Sequence, residues 1–316
     1  MAWNLDGRVA LITGAGSGIG AELARQLAAR GMRLALIDVD GERLEAVAAT
    51  LAGAQWEVAD VRDAAAVSAA VDALAARCGG IDLCVANAGI ATGGPLRLVG
   101  PDTVEDTIDV NLLGVWRTVH ASLPHVLARR GHLLLIASAA AVLPTPGLAA
   151  YSASKAGVEA LGRSLRVEMR LHGVSVGVGY YLFLNTPMVT RGEESPVFRD
   201  SKSRMPGPIA KTWPLEPAVA RTVASIEKRS RAVAHPPFLR AIMAARGLLD
   251  TPLTDRVTAG GVPRMDAAFA AEAQRIGADA AGRGVGNPAA GARPAGRPSP
   301  QGEDSQRREP EGRASP

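Results

Sequence analysis

Short, uniformly apolar runs alternate with longer segments in which apolar positions recur every three or four residues, from Arg8 to about Arg246. The runs predict strands at residues 9–13, 33–37, 55–59, 83–86, 132–137 and 174–178, with a weaker one at 232–234. The periodic segments predict helices at 19–29, 42–51, 64–77, 103–129, 151–171 and 217–229. Gly31, Gly131 and Gly173 each follow a predicted helix, where a left-handed residue closes the last turn at least cost. Strands with no polar face, separated by helices, imply βαβ units and a parallel sheet covered on both sides. The expected fold is therefore α/β: a Rossmann-type doubly wound parallel sheet of about seven strands, forming a single domain over residues 1–246.

Two stretches break the alternation. Residues 185–215 carry Pro187, Pro196, Pro206, Pro208 and Pro214 with mixed charges and no period, which predicts a long loop serving as a substrate lid or lying disordered. Residues 247–280 read either as an accessory helical extension, on the Ala-rich pattern at 265–276, or as a frayed continuation. From 281 to 316 Gly, Pro, Ala and Arg dominate and Val285 is the one apolar side chain larger than Ala, so a disordered tail is expected.

Composition narrows the picture. An apolar fraction of 47% beside 21% charged residues is that of a globular chain. A net charge of +4, spread without like-charge blocks, gives no basis for a nucleic-acid or membrane partner. The amino-terminal region lacks a basic leader with a long apolar core, and no apolar stretch reaches membrane-spanning length. Cys78 and Cys84 form no metal or redox motif, and His120, His125, His132, His172 and His235 show no ligand spacing, so no metal is expected. A reducing, cytoplasmic location follows as an expectation.

The segment Thr13-Gly14-Ala15-Gly16-Ser17-Gly18-Ile19-Gly20 follows the first strand and opens the first helix. Glycines there admit positive φ and close approach of the backbone, and the helix end offers N–H groups to an anion such as a pyrophosphate. The spacing departs from G-x-G-x-x-G, although Gly16, Gly18 and Ala21 satisfy its looser form. Asp38 ends the second strand at the offset where an acid meets an adenine-ribose hydroxyl. Its charge opposes a 2′-phosphate, and neither Ser17 nor Val39 supplies a cation, which favours NAD over NADP. The competing reading, Asp38 as a helix cap, is weakened because Asp40 is better placed to cap.

Tyr151 and Lys155 stand four residues apart near the start of a predicted helix, hence on one face. A nearby ammonium favours the phenolate, so the pair reads as a general acid/base whose pKa is lowered toward neutrality. Ser138 ends the fifth strand, at the sheet edge where α/β proteins bind ligands.

Together these residues resemble the short-chain dehydrogenase/reductases. Thr13-Gly14, Gly18-Ile19-Gly20, Asp60, Asn87-Ala88-Gly89, Asn111, Ser138, Tyr151 and Lys155 stand where that family's motifs fall, over residues 6 to 245. The resemblance implies Tyr151 as catalytic acid/base and Lys155 as the partner that binds the nicotinamide ribose and depresses the Tyr151 pKa. It implies Ser138 as orienter of the substrate oxygen and Asn111 as holder of a relay water. Gly14, Ser17, Gly18, Ile19, Gly20 and Asp38 would bind cofactor, joined by Asp60 and Val61 at the adenine, by Asn87, Ala88 and Gly89 after the fourth strand, and by Thr186 at the carboxamide. Homodimers or homotetramers pairing the helices at 103–129 and 151–171 are implied too. One departure stands out: Tyr181-Leu182 occupies the place of the family's usual Pro-Gly, adding bulk over the cofactor or lining the substrate pocket.

With Ala139 to Ala141, Leu143, Tyr181 and Leu182 around it, the pocket is expected to be roomy and apolar. The expected activity is NAD-dependent hydride transfer between nicotinamide and a hydrophobic secondary alcohol or ketone. An NADP-preferring carbonyl reductase and a non-catalytic NAD-binding sensor or scaffold are the alternatives.

Overall fold

The apolar runs become seven parallel strands of one sheet in the computed structural model, which describes residues 2–143, 145–248 and 251–283. In chain order the elements are β1 (Val9–Thr13), α1 (Gly18–Ala28), β2 (Arg33–Asp38), α2 (Gly41–Ala48), β3 (Gln55–Val58), α3 (Ala64–Cys78) and β4 (Leu83–Ala86). Next come α4 (Pro101–Ile108), α5 (Gly114–Ala128), β5 (His132–Ile136), α6 (Ala149–Glu168) and β6 (Ser175–Tyr181). Beyond these lie α7 (Pro187–Gly192), α8 (Pro196–Ser203), α9 (Gly207–Ala210), α10 (Leu215–Glu227), β7 (Ala232–His235) and α11 (Leu239–Ala245). The carboxyl-terminal part adds α12 (Pro252–Ala259), α13 (Val262–Ile276) and α14 (Ala278–Arg283).

The strands lie in the order β3-β2-β1-β4-β5-β6-β7, so chain progression reverses between β1 and β4 and opens a crevice beyond their carboxyl ends. Every residue of β1, β4 and β5 is buried, because helices cover both faces of the sheet. Two apolar clusters, one per face, hold the layers together.

Three readings of the pattern need correction. The helix expected over 103–129 is α4 and α5 joined by a π turn at Asp109–Leu113, a one-residue widening too local for apolar periodicity to register. The stretch 185–215 is no open loop: α7, α8 and α9 occupy it. Its prolines sit where helices begin, Pro187 and Pro196 in the first turns of α7 and α8 and Pro206 and Pro214 as the caps of α9 and α10, positions that need no backbone donor. Within 247–280 the helical reading is the one found, with α12 and α13. α14 carries on through Arg283 into the first residues of the expected tail; residues 284–316 lie outside the described ones.

Cys78 and Cys84 are both buried and unpaired. No described helix is long and apolar enough to cross a membrane, and no group of three or more His, Cys, Asp or Glu among the described residues could hold a metal ion.

Candidate active site

A cavity of about 280 Å³ runs across the carboxyl ends of β1, β2, β4, β5 and β6. Every site residue expected from the sequence lines it except Gly20 and Asn111, which sit just behind its wall.

The glycine turn forms one end. Gly14 (φ +68°) and Gly18 (φ +53°) adopt left-handed conformations, and a Cβ on Gly14 would stand 2.8 Å from the Ala88 Cα. A Cβ on Gly20 would stand 2.1 Å from the Gly14 carbonyl oxygen, so only glycine lets α1 start this close to the turn. Asn87 locks the turn from β4: its Nδ2 donates to the carbonyls of Thr13 (2.9 Å) and Gly14 (3.2 Å), and its N–H donates to Thr13 Oγ1 (3.1 Å). Ser17 caps α1 in an extended conformation without a side-chain hydrogen bond, and the first turn holds no acid. Its N–H groups therefore face the cavity without a side-chain acceptor, the donor set a pyrophosphate requires.

Asp38 Oδ2 accepts from the Gly16 N–H (2.8 Å) and Oδ1 from the Asp40 N–H (3.0 Å), leaving each oxygen a further acceptor direction toward the cavity. Asp40, as the sequence suggested, caps α2 by accepting from the Arg43 N–H (3.1 Å). Arg43 itself lines the cavity beside Asp38 and pairs with Asp40 at 3.0 Å. In the sequence this cation lies away from the positions next to the glycine turn and the strand end, and only folding brings it to the cavity. Asp60 is clamped by the Arg62 guanidinium at 2.6–3.1 Å, with Val61 following it along the same wall.

At the other end Ser138, Tyr151 and Lys155 converge. Ser138 Oγ accepts from the Ala140 N–H (3.2 Å) at the start of a short 3₁₀ turn and shares a hydrogen bond with the Tyr151 hydroxyl. Lys155 Nζ lies 5.9 Å from the Tyr151 ring centroid and donates to the Ile136 carbonyl (3.1 Å). Burial governs both groups within this chain. It raises the Tyr151 phenol above its usual value, which the Ser138 hydrogen bond partly offsets. It lowers Lys155 from 10.5 to about 8. The expected depression of the phenol is thus not what the protein environment produces by itself: burial raises it, and the Ser138 hydrogen bond offsets only part of that.

Asn111, wholly buried in the π turn, donates from Nδ2 to the Ile90 carbonyl (2.9 Å) and Ser154 Oγ (3.3 Å) and accepts the Ile90 N–H at Oδ1 (2.8 Å). Ser154 Oγ donates to the Tyr151 carbonyl (2.7 Å). The segment after β4 and the start of α6 are thereby fixed to each other. Ser154 went unnoticed in the sequence; its signal was a hydroxyl on the buried face of the helix, one turn from Tyr151. A Cβ on Gly89 would lie 3.1 Å from Asn111 Oδ1 and 3.3 Å from Lys155 Nζ, which shows how closely that strand end approaches both.

Thr186 caps α7 through its Oγ1, which accepts from the Val189 N–H (3.4 Å), and its methyl group comes up against Gly18, 3.4 Å from where a Cβ there would stand. In place of Pro-Gly, Tyr181 extends β6 to pair with His235, and its hydroxyl bonds Thr222 on α10 (2.7 Å). Tyr181 therefore anchors the wall from beneath while Leu182 and Phe183 line the apolar end.

A glycine-rich turn at the strand-order reversal of a doubly wound parallel sheet defines a Rossmann-class protein. The chain belongs to the short chain dehydrogenase family, whose pattern matches residues 8–196. It is 40% identical over 179 residues to D-threitol dehydrogenase of Mycolicibacterium smegmatis, covering 55% of this chain and 69% of that one. It is 37% identical over 204 residues to (−)-trans-carveol dehydrogenase of Rhodococcus erythropolis, covering 58% and 74%. Among solved structures it is similar to a short chain dehydrogenase/reductase from Burkholderia phymatum in complex with NAD, with TM-score 0.67, 26% identity and coverage of 79% and 98%. It is also similar to levodione reductase, with TM-score 0.68, 28% identity and coverage of 75% and 98%.

Proposed function

We propose that this protein is an NAD-dependent oxidoreductase moving a hydride between nicotinamide and a hydrophobic secondary alcohol or ketone. The observation that carries the reading is the convergence of Ser138, Tyr151 and Lys155 at the apolar end of the cavity whose far end is the glycine cradle. NAD supplies the hydride acceptor, and NADH the donor, when bound. The fit rests on the unacidified first turn of α1, the backbone approach allowed at Gly14 and Gly18, and Asp38 at the end of β2. Asp60, Val61, Asn87, Ala88, Gly89 and Thr186 complete the cofactor wall.

Tyr151 Oη receives the proton of the alcohol in oxidation and returns it in reduction. Ser138 Oγ donates to the substrate oxygen and holds it against Tyr151. Lys155, largely charged at neutral pH because its pKa sits at about 8, stabilises the phenolate across the cavity wall. Asn111 keeps Ile90 and Ser154 in register behind the pair. Leu143, Leu148, Leu182 and Phe183 make the substrate end apolar. Relatives named as dehydrogenases of threitol and carveol support an alcohol as substrate, and the NAD bound by the Burkholderia relative supports the cofactor.

Tyr151→Phe should fold, bind NAD within about twofold of the parent and lose roughly 10²–10⁴ in turnover. The measurement is reduced-nicotinamide absorbance over a panel of alcohols and ketones; a variant with full activity would end the assignment. An NADP-preferring carbonyl reductase is the second reading, favoured by Arg43 beside Asp38, and titration of both dinucleotides decides it. A cytoplasmic location fits the free thiols of Cys78 and Cys84. A homo-oligomer through α5 and α6 is supported by the exposed Trp116 and Val167 on those helices.

A further inference from the structure

Beyond β7 the chain turns back over the substrate end of the fold, and its contacts there are specific. Phe269 and Met265 of α13 are buried, with exposures of 1% and 6%, in a cluster that includes Leu98 and Val99 of the segment between β4 and α4. The loops beneath them carry glycine where the side chains arrive. A Cβ on Gly94 (φ +134°) would stand 2.3 Å from the Phe269 ring, and one on Gly147 (φ +81°) 2.7 Å from Met265 Sδ. The Gly94 N–H donates to the Gly147 carbonyl (2.8 Å), so the two loops meet under this pair. Polar contacts fix the segment on several sides: Gly93 N–H to the Gly282 carbonyl (2.9 Å), Thr103 Oγ1 to Asp279 (2.9 Å), Arg283 to Asp106 (3.0 Å) and Arg97 to Asp266 (2.6 Å).

Between this cap and the main cavity lies a second, smaller one of about 30 Å³. The two share Thr145, Leu148, Phe183, Phe198 and Met205, so only that row separates them. Phe183 and Phe198 meet edge to face, ring centroids 5.6 Å apart, at the middle of the partition. Met265 and Phe269 form the far side.

We propose that Phe269 and Met265 are the end wall of the substrate pocket and set the length of apolar chain accepted beyond the carbinol carbon. This rests on the oxidoreductase reading above and adds to it a specificity device outside residues 8–196. The shared row includes the flexible side chains of Phe198 and Met205, and a chain that displaces them next meets the Phe269 ring on the far side of the smaller cavity. One methylene in an apolar pocket changes kcat/KM by about tenfold or more, so a wall that moves by a ring's width resets the length preference.

The test uses the full chain and a series of methyl ketones from butanone to decanone with NADH. In the parent, kcat/KM rises with length and then falls. Phe269→Ala moves the fall to ketones about two carbons longer and raises the long-to-short ratio of kcat/KM by about tenfold, chiefly through KM. If that variant undocks α13 the wall opens as well, and the shift has the same direction. Phe269→Trp moves the fall to shorter ketones. Neither change alters the NAD dissociation constant, because the cradle lies at the other end of the cavity. A common loss across all ketones in both variants, with an unshifted profile, overturns the wall and leaves the oxidoreductase reading standing. A parent protein that turns over no ketone or alcohol overturns the oxidoreductase reading, and the wall with it.

Discussion

Lys155 carries a charge in a place that resists it: the ammonium is buried, and desolvation brings its pKa from 10.5 down to about 8. Between those values the unfolded chain holds a proton that the folded chain has released, so stability rises with pH across that window. Lys155→Met should therefore raise stability by about 1–3 kcal/mol near neutral pH while abolishing turnover. The advantage should shrink as the pH climbs toward about 10, as followed by denaturant unfolding at a series of pH values. A gap that stays constant with pH would assign the gain to packing instead. At this scale the sequence was informative wherever chemistry forces a residue type at a fixed spacing. Tyr151 and Lys155 four apart, and Ser138 at a strand end, line one cavity. Arg43 and Ser154 were not legible, since their importance comes from neighbours brought close only by folding. The Tyr151 shift differs from expectation for a related reason: spacing reveals the neighbouring cation but not the depth of burial that raises the phenol.

The π turn at Asp109–Leu113 is an element-scale device. It joins α4 and α5 and carries Asn111, whose amide makes both a donor and an acceptor contact with the Ile90 backbone. Asn111→Ala would strand a buried N–H and a buried carbonyl, with an expected loss of about 2–4 kcal/mol. That should appear as a fall of several degrees in Tm by circular dichroism; an unchanged Tm would mean that the Ile90 backbone finds other partners. Helix periodicity located these helices to within a few residues but passed over the turn, because one additional residue leaves the apolar stripe nearly intact. Prolines misled more strongly: within 185–215 they punctuate a series of short helices, and a proline at a helix start is indistinguishable, by type alone, from one that keeps a loop open.

For the whole molecule, uniformly apolar strands made the parallel sheet readable, and the reversal of strand order between β1 and β4 gathers residues from distant parts of the chain into one crevice. The extension was only half readable, because an amphipathic helix does not reveal which surface will receive it. Association is the property that belongs to this scale. Trp116, 46% exposed on α5 and stacked on His120, and Val167, 75% exposed on α6, lie on the long helices expected to pair. Trp116→Arg should reduce the assembly mass seen by light scattering; an unchanged mass would place the contact elsewhere. The position of α13 also gives assembly of the mouth a direction in time. Polypeptides emerge from the ribosome amino end first, so every strand that bears the nucleotide cradle is synthesised before Met265 and Phe269. The cap over the mouth is thus laid on a sheet whose strands have all been made before it.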